Sequence, residues 1–274
     1  FKDKIKNLPV FLLESKRDKK LSDIEKIIDY LLKNNFSRKS LLIAFGGGRI
    51  TDTVGFCASV YMRGINWIDI PTTALSQIDA SVGGKTGVDF NGIKNIVGSF
   101  CFPKITLIDP IYTKSQDDFN FKEAIGELVK YLLIMPEKKA KKLEDLMEKL
   151  YNRDIEAIKK AIEICIEFKA DIVKRDPFDT LEIREILNLG HTPAHAIEEI
   201  NQIPHGYSVW YGLYYIAKLS EKLKVLKNKN IIDIFIEKYK LDKNLITKKE
   251  PKRFLKLIST DKKRKGYKNY FLLI

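Results

Sequence analysis

The hydrophobic positions of the first 113 residues fall into short apolar runs, separated by stretches in which they recur every three or four residues. Short runs are typical of strands, and the longer spacing is typical of amphipathic helices. Strands are predicted at 10–13, 40–45, 65–70 and 105–108, the second of them buried on both faces. Helices are predicted at 51–63, at 74–81, and from a Ser22–Glu25 capping box to Asn34-Asn35. This alternation predicts an α/β sheet.

From Phe119 onward only helical periods remain. Apolar residues recur at helical spacing in three segments, which predicts helices there: 143–150, 155–172 and 209–223. We therefore expect an α/β plus all-α chain of two domains. The first, 1–113, is α/β, and the second, 114–274, is helical.

Composition narrows the class of protein. Hydrophobic residues make up 45% of the chain and charged residues 31%, and no apolar run approaches 18 residues. These values predict a globular chain without a membrane span. Cys57, Cys101 and Cys165 stand apart from one another, which favours reduced thiols and a cytoplasmic location. The net charge of +13 is spread over many amphipathic segments rather than collected in a nucleic-acid module, so we expect no nucleic-acid partner.

Glycine-rich segments mark the first domain. Gly46-Gly47-Gly48 follows an apolar run and precedes Asp52, an order in which backbone N–H groups at a helix start can meet a phosphate. The spacing differs from the usual dinucleotide fingerprint, and a simple tight turn explains it equally well. Two later segments, 81–87 and 94–98, are interpreted as glycine-rich loops in which Lys85 and Lys94 can neutralise an anion.

The three histidines of the chain, His191, His195 and His205, all fall within residues 184–205. Such clustering favours a metal or catalytic site over three satisfied core histidines. We expect two of them to bind a divalent metal and the third to transfer protons. Pro193 favours a first helical turn, so Thr192 is the expected N-cap, with His191 before the helix and His195 inside it.

Glu127 and Lys130 lie three residues apart in an almost entirely apolar helical segment. A weak surface ion pair is one interpretation. The apolar surroundings favour a second one, in which the carboxylate joins two histidines as a zinc-like His₂Glu set with an open position for substrate.

Many ordered motifs make the chain resemble the 3-dehydroquinate synthases of the sugar-phosphate cyclase superfamily. The matching segments are GGGxxxD at 46–52, YMRG at 61–64, PTT at 71–73, QIDASVGGKTGV at 77–88, KNIVGSF at 94–100, ELVKY at 127–131, KADIV at 169–173, LNLGHTPAHA at 187–196, HG at 205–206 and DKK at 261–263.

The resemblance implies a Rossmann-like NAD domain, a helical metal and substrate domain, and an active site between them. It implies a zinc site, with cobalt as the alternative ion, made of Glu127, His191 and His205. The NAD-binding residues implied are Gly46, Gly47, Gly48, Asp52, Thr72, Thr73, Asp79, Lys85 and Lys94. The substrate-binding residues implied are Arg63, Asp79, Lys85, Lys94, Asn95, Lys130, Lys169, Arg184, Asn188, His195 and Lys262. Of these, His195, Lys130 and Lys85 are the catalytic candidates, and Arg63 implies a homodimer because it reaches a neighbouring subunit's site in the family.

The activity implied is that of a carbon–oxygen lyase of the shikimate pathway. It converts 3-deoxy-D-arabino-heptulosonate 7-phosphate (DAHP) to 3-dehydroquinate and phosphate. The steps are transient oxidation by NAD, favoured by zinc, then phosphate elimination, re-reduction, and an intramolecular aldol closure. A phosphate and a carboxylate on one small substrate give several lysines a purpose.

Some positions depart from the family's pattern. Pro193-Ala194 replaces phenylalanine-glycine, Tyr207 replaces a glutamate, and ESKRDKK at 14–20 replaces the usual DGExxK. Members of the family usually have further strands before the point where this sequence begins, so a short N-terminal domain is expected.

Three other functions are compatible with these motifs. The first is a related cyclase that makes an inosose or a valiolone, although Lys169, Arg184 and Asn188 favour a carboxylate-bearing substrate. The second is a metal-dependent polyol dehydrogenase, which would accumulate NADH. The third is a non-catalytic remnant that keeps the fold as a dimerising module.

Overall fold

The chain forms two compact units, Phe1–Asp109 (unit 1) and Pro110–Ile274 (unit 2). The computed structural model describes residues 8–13, 19–225, 245–259 and 273. Within these ranges no helix combines the length and apolarity that a membrane span requires. The three cysteines form no disulfide.

Unit 1 contains a parallel sheet, two helices and a hairpin. Its elements in chain order are α1 (Leu21–Lys33), β1 (Leu41–Gly46), α2 (Gly48–Val60), a 3₁₀ turn (Tyr61–Arg63), β2 (Asn66–Pro71), a π-helical turn (Ser76–Ala80), β3 (Lys85–Phe90), β4 (Ile93–Phe100) and β5 (Ile105–Thr106). The parallel sheet has the order β1-β2-β5, while β3 and β4 pair antiparallel. The predicted α/β class is therefore confirmed for this part of the chain.

The sheet has one covered face and one exposed face. Leu42 and Ala44 of β1 are buried in a core with Ile24, Ile27 and Leu31 of α1. The alternate residues of β1 point the other way and are 41 to 49% exposed: Leu41, Ile43 and Phe45. The prediction that this strand is buried on both faces is wrong, because in the described part of the chain only one face of β1 is covered.

Of the two glycine-rich segments predicted as loops, 94–98 lies within β4, whereas 81–87 is a loop as far as Gly84 and then enters β3, which pairs with β4. An added Cβ at Gly98 would overlap the carbonyl oxygen of Thr86, so the glycine permits this close pairing. Asn91 and Gly92, both with positive φ, connect the strands. An Asn-Gly pair between strand-like runs is a strong hairpin signal, and it was present in the sequence.

The N-terminal predictions of unit 1 were partly correct. Residues 10–13 form no strand, contrary to the prediction. Helix α1 does end at Asn34, but it starts one residue earlier than expected. Its first turn is closed by the backbone N–H of Lys20 donating to Asp23, rather than by Ser22 with Glu25.

Unit 2 is helical, as predicted, within its described residues. Its elements are a 3₁₀ helix (Pro110–Ser115), α3 (Asp118–Ile134), α4 (Glu137–Glu144), α5 (Met147–Tyr151), α6 (Ile155–Arg175), a 3₁₀ helix (Ile183–Asn188), α7 (His191–Asn201), α8 (His205–Lys222) and α9 (Pro251–Ser259). Helix α3 packs on α8, and α8 packs on α7. Residues 124–132 of α3 are all buried, so α3 is the core helix of this unit.

Candidate functional site

Helix α3 carries an ion pair through the core of unit 2. Glu127 and Lys130 are one turn apart on the same face of the helix, and their carboxylate and ammonium groups are in contact. Each side chain is only 1% exposed. The interpretation as a weak surface pair is therefore excluded.

Two histidines complete this polar cluster. The Nε2 atoms of His191 and His205 lie 3.4 and 3.5 Å from Oε1 of Glu127. Each ring places its other nitrogen against an oxygen: Nδ1 of His191 is 3.2 Å from the Leu189 carbonyl, and Nδ1 of His205 is 3.1 Å from Oε2 of Glu198. With Nδ1–H donating in both rings, both Nε2 lone pairs face the same carboxylate oxygen.

The helices that carry these groups approach each other closely because of two glycines. Gly126 of α3 precedes Glu127, and Gly206 of α8 follows His205. A Cβ on either glycine would overlap a backbone carbonyl oxygen of the facing helix. The absence of side chains at both positions thus brings the Glu127 carboxylate within reach of the His205 imidazole.

The charges of the cluster are strongly interdependent. Complete burial would raise the pKa of Glu127, but the positive charge of Lys130, with the two histidines, holds that pKa well below its ordinary value. Burial would lower the pKa of His205, but its contacts with Glu127 and Glu198 outweigh burial and raise the pKa to about 10. The neighbours of Glu127 therefore keep its carboxylate ionised.

The geometry fits a divalent metal ion. In the described part of the chain, Glu127, His191 and His205 form a group whose ligand atoms all lie within 4.8 Å of one another. A tetrahedral zinc site with bonds of about 2.0 to 2.2 Å places its ligand atoms about 3.3 to 3.6 Å apart. The two nitrogen–oxygen distances in the cluster agree with that separation.

His195 is the fifth residue of α7 and lies close to both other histidines. Its ring centroid is 5.9 Å from that of His191 and 6.2 Å from that of His205. Helix α7 begins at His191 with Gly190 as its N-cap, so the predicted cap at Thr192 is wrong. Pro193 is tolerated because the first-turn N–H groups of a helix have no intrahelical partner.

The other substrate residues expected in unit 2 are spread over two elements. Lys169 of α6 and Arg184 of the second 3₁₀ helix are buried, 7% and 3% exposed, while Asn188 is half-buried. A guanidinium nitrogen of Arg184 donates to the Pro177 carbonyl at 3.0 Å. The 3₁₀ helix packs on α6. Lys262 lies outside the described residues.

In unit 1, the expected cofactor residues gather at the carboxyl ends of β1 and β2. Gly46 ends β1, and its carbonyl accepts from Thr72, which follows β2. Gly47 is the N-cap of α2, and an added Cβ there would lie 2.8 Å from the Thr73 side chain. This edge of a parallel sheet, with a helix start beside it, is the usual place for a dinucleotide phosphate.

Lys19 connects two of the predicted residues and was missed in the sequence. Its ammonium donates to Asp52 at 2.6 Å and also contacts the Asn95 side chain. Its backbone N–H is 3.3 Å from a carboxylate oxygen of Asp89. Lys19 is only 9% exposed. It is one of seven charged or polar residues in ESKRDKK, and only the tertiary contacts distinguish it.

A small cavity in unit 1 is lined by Asp52 and Lys85 together with Asp69 of β2. Asp69 is 2% exposed, and within the described ranges its Oδ1 atom has no hydrogen-bond partner. Burial, with the nearby Asp52 charge, raises the pKa of Asp69 to about 7. Sequence reasoning missed this residue because it occupies an ordinary position in an apolar strand.

The remaining predicted residues of unit 1 lie on separate elements. Asp79 is in the π-helical turn, Lys94 is in β4, and Arg63 is an exposed residue in the turn after α2. Both Arg63 and the preceding Met62 have positive φ.

Comparison with known families covers nearly the whole chain. Residues 10–123 match the model of the 3-dehydroquinate synthase N-terminal domain, and residues 124–264 match that of the C-terminal domain. The chain belongs to the 3-dehydroquinate synthase family. The two matches are consecutive, and the second begins in α3, three residues before Glu127.

Curated members of the family are similar in sequence but longer. The 3-dehydroquinate synthase of Clostridium tetani is 37% identical over 91% of this chain and 65% of its own length. That of Sulfurisphaera tokodaii is 36% identical over 88% and 70%, and that of Saccharolobus solfataricus is 39% identical over 75% and 58%. The chain thus spans about two thirds of the length of these relatives.

Solved structures confirm the fold of the sugar-phosphate cyclases. A 2-deoxy-scyllo-inosose synthase complexed with carbaglucose-6-phosphate, NAD⁺ and Co²⁺ superposes with a TM-score of 0.80 at 24% identity, over 94% of this chain and 71% of its own. A 2-epi-5-epi-valiolone synthase from Streptomyces hygroscopicus subsp. jinggangensis with NAD⁺ and Zn²⁺ gives 0.78 at 22% identity, over 91% and 70%. An iron-containing alcohol dehydrogenase gives 0.67 at 17%, over 95% and 78%.

Two departures from the family's pattern have structural explanations. The hydroxyl of Tyr207 donates to the Phe119 carbonyl at 3.0 Å, and the two rings stack at 4.9 Å, so Tyr207 fastens α8 to α3. Ala194 is fully buried beside Gly212 at the close α7–α8 contact, where its small side chain fits.

Proposed function

We propose that the chain is a 3-dehydroquinate synthase that converts DAHP to 3-dehydroquinate and phosphate with NAD and a divalent metal, zinc or cobalt. The observation that carries the proposal is the convergence of Glu127, His191 and His205 beside the buried cation of Lys130. Membership of the family and the fold shared with NAD- and metal-bound cyclases support it.

Three residues of unit 2 would hold the metal. Both histidines present Nε2, and the carboxylate of Glu127 is kept ionised by its neighbours. When bound, the ion would supply a positive charge that polarises a substrate hydroxyl and favours its deprotonation. His195, whose ring lies near those of both histidines, would exchange a proton with the substrate.

The glycine turn of unit 1 would hold the NAD phosphates. Gly47 and Gly48 expose the first backbone N–H groups of α2, a 13-residue helix, beside Thr72 and Thr73. Asp52, Asp79, Lys85 and Lys94 are the further candidates for this unit. When bound at these residues, NAD would supply reversible hydride transfer and would be regenerated in each turnover.

The buried cations of unit 2 suit a substrate with two anionic groups. Lys130, Lys169 and Arg184 are all at least nine-tenths buried. Cations in such surroundings are stabilised by anions, and Lys130 already contacts Glu127. We infer that phosphate and carboxylate oxygens of the substrate meet these groups, together with Asn188.

We further propose that the enzyme is a homodimer in which Arg63 reaches the site of the neighbouring subunit. Arg63 is exposed and held by a turn whose positive φ angles fix the direction of the chain. Sedimentation of the wild type and of Arg63→Ala would test the dimer, and mixing inactive Arg63→Ala with inactive His195→Ala should restore part of the activity.

The decisive experiment measures phosphate release from DAHP in the presence of NAD, with and without a chelator. We expect release without net accumulation of NADH, and loss of release when the metal is removed. Turnover that is unaffected by the chelator would contradict the proposal of a metal site. A folded, zinc-loaded chain that releases no phosphate would favour the non-catalytic remnant. Substrates of inosose and valiolone synthases and glycerol serve as controls for the related activities.

A further inference from the structure

Glu198 is a buried carboxylate in contact with a histidine of the cluster. It lies on α7, two turns after His191, and is 6% exposed. Its Oε2 atom is 3.1 Å from Nδ1 of His205, the ring nitrogen that faces away from Glu127. A buried carboxylate needs such a hydrogen-bonded partner, and His205 gains an orienting one from the contact.

The two histidines receive this support from different sources. Nδ1 of His191 faces the Leu189 carbonyl, a backbone group fixed by the entry into α7. His205 is the first residue of α8, and its Nδ1 partner is a side chain on another helix. The orientation of the His205 ring therefore depends on a residue that can be replaced, whereas that of His191 does not.

We propose that Glu198 is a positioning residue: it fixes the tautomer and the ring orientation of His205, so that Nε2 is presented to the metal. The proposal rests on the metal site described under Proposed function. A carboxylate that accepts the second N–H of a histidine ligand also makes the imidazole more basic, and its loss typically weakens metal binding about 10- to 100-fold.

A different role for Glu198 predicts the opposite result. If the carboxylate served only to neutralise a protonated His205, its removal would favour the neutral imidazole. The metal has to displace that proton, so metal affinity at neutral pH would then rise or stay unchanged. The sign of the change in affinity therefore separates the two roles.

The test measures the Zn²⁺ dissociation constant by competition with a chromophoric chelator, for the wild type, Glu198→Ala and Glu198→Gln. Glu199→Gln is the matched control, because Glu199 is the next residue of α7, is 43% exposed and pairs with Arg253 on the surface. The circular dichroism and melting temperature of each metal-free variant report folding. The visible spectrum of bound Co²⁺ reports the ligand geometry.

We expect Glu198→Ala to weaken Zn²⁺ binding by about 10- to 100-fold and to alter the Co²⁺ spectrum. Glu198→Gln keeps an oxygen acceptor for Nδ1–H, so its loss should be smaller, and Glu199→Gln should bind as the wild type does. If Glu198→Ala does not fold, Glu198→Gln against Glu199→Gln decides the question. Equal or tighter binding in the folded Glu198 variants would overturn the inference alone. A wild type that binds no metal would overturn the proposed metal site and the inference with it.

Discussion

The two units differ in how deeply they bury charged side chains. In unit 2 the core helix α3 carries an ion pair whose members are each 1% exposed and whose partners are two histidines. In unit 1 the sheet has an exposed apolar face on β1, and the aspartate at the start of α2, Asp52, is 23% exposed. In the described part of the chain, buried charged side chains are more numerous in the helical unit than in the sheet unit.

This difference predicts where each unit is sensitive. When one member of a buried ion pair is removed, the other charge stays buried and uncompensated. Single substitutions of such residues in unit 2 should therefore cause large losses of unfolding free energy. In unit 1, Asp52 is partly exposed to solvent and paired with Lys19, so its substitution should cause a small loss of unfolding free energy. Asp69 differs from Asp52 because it is only 2% exposed. Its substitution therefore tests whether burial, rather than the unit in which a residue lies, determines the effect on stability.

The largest effect is expected from Glu127→Gln. The substitution removes the carboxylate that the buried ammonium of Lys130 contacts, so the unfolding free energy of the metal-free protein should fall by about 3–5 kcal/mol. Stoichiometric Zn²⁺ binding should also be lost. Urea denaturation and metal analysis check the two effects.

Two further variants separate the effect of the buried charge on stability from the effect on metal binding. Glu127→Gln combined with Lys130→Met should recover part of the stability but none of the metal binding, because the buried charge is gone while the ligand is still missing. His195→Ala should keep bound zinc and lose rate. Zinc retained by Glu127→Gln, or lost in His195→Ala, would contradict the ligand assignment.

The second prediction concerns Asp69 and pH. The pKa of Asp69 is raised from 3.8 to about 7 in the folded state, so folding retains a proton that the unfolded chain releases. The stability from this group is fully present below pH 3.8 and is lost as pH rises through about 7. At about 1.4 kcal/mol per pH unit, the difference between the two limits reaches about 4 kcal/mol.

Asp69→Asn should remove that dependence. The amide carries no charge at any pH, so the variant should be more stable than the wild type at pH 8 and lose this advantage towards pH 5. Denaturant midpoints of both proteins across this range give the measurement, and the comparison cancels the titration of all other groups. A constant difference between the two proteins would show that Asp69 does not titrate in this range.

The third prediction tests the close approach of α3 and α8. In Gly206→Ala the added methyl overlaps a carbonyl oxygen of α3, so the helices must move apart, at a cost of about 3 kcal/mol. This movement would separate His205 from Glu127, so metal affinity should decrease as well as stability. Gly92→Ala is the control: its Cβ meets nothing within 4 Å, so it bears only the strain of its positive φ and should leave metal binding intact. Tight zinc binding by Gly206→Ala would show that the glycine contact is dispensable.

The sequence allowed prediction of the residues whose chemistry is unusual for their surroundings. A glutamate and a lysine in an apolar helix, and three histidines in a short segment, indicated the residues that the structure brings together as Glu127, Lys130, His191 and His205. Glu198 and Lys19 could not be found in this way, because each stands in an ordinary charged segment and acquires its role from contacts seven and 33 residues away. The exposed face of β1 was also unpredictable, since an all-apolar run does not reveal which of its faces is covered. The β3–β4 hairpin is indicated by Asn91-Gly92, but the glycines and lysines beside this pair are equally typical of an anion-binding loop.

The smallest effect is expected at Glu182, at the exposed edge of unit 2. Glu182 precedes the 3₁₀ helix that carries Arg184, and it has φ 64° and ψ 1°, a left-handed conformation that disfavours residues with a Cβ. Glu182→Gly should relieve this strain and raise the unfolding free energy by about 0.5–1 kcal/mol, with no change in Zn²⁺ affinity. Glu185→Gly, within the same 3₁₀ helix, should lower it by a similar amount because glycine loses more conformational freedom on folding. Equal losses of unfolding free energy in both variants would show that the backbone at Glu182 stores no strain.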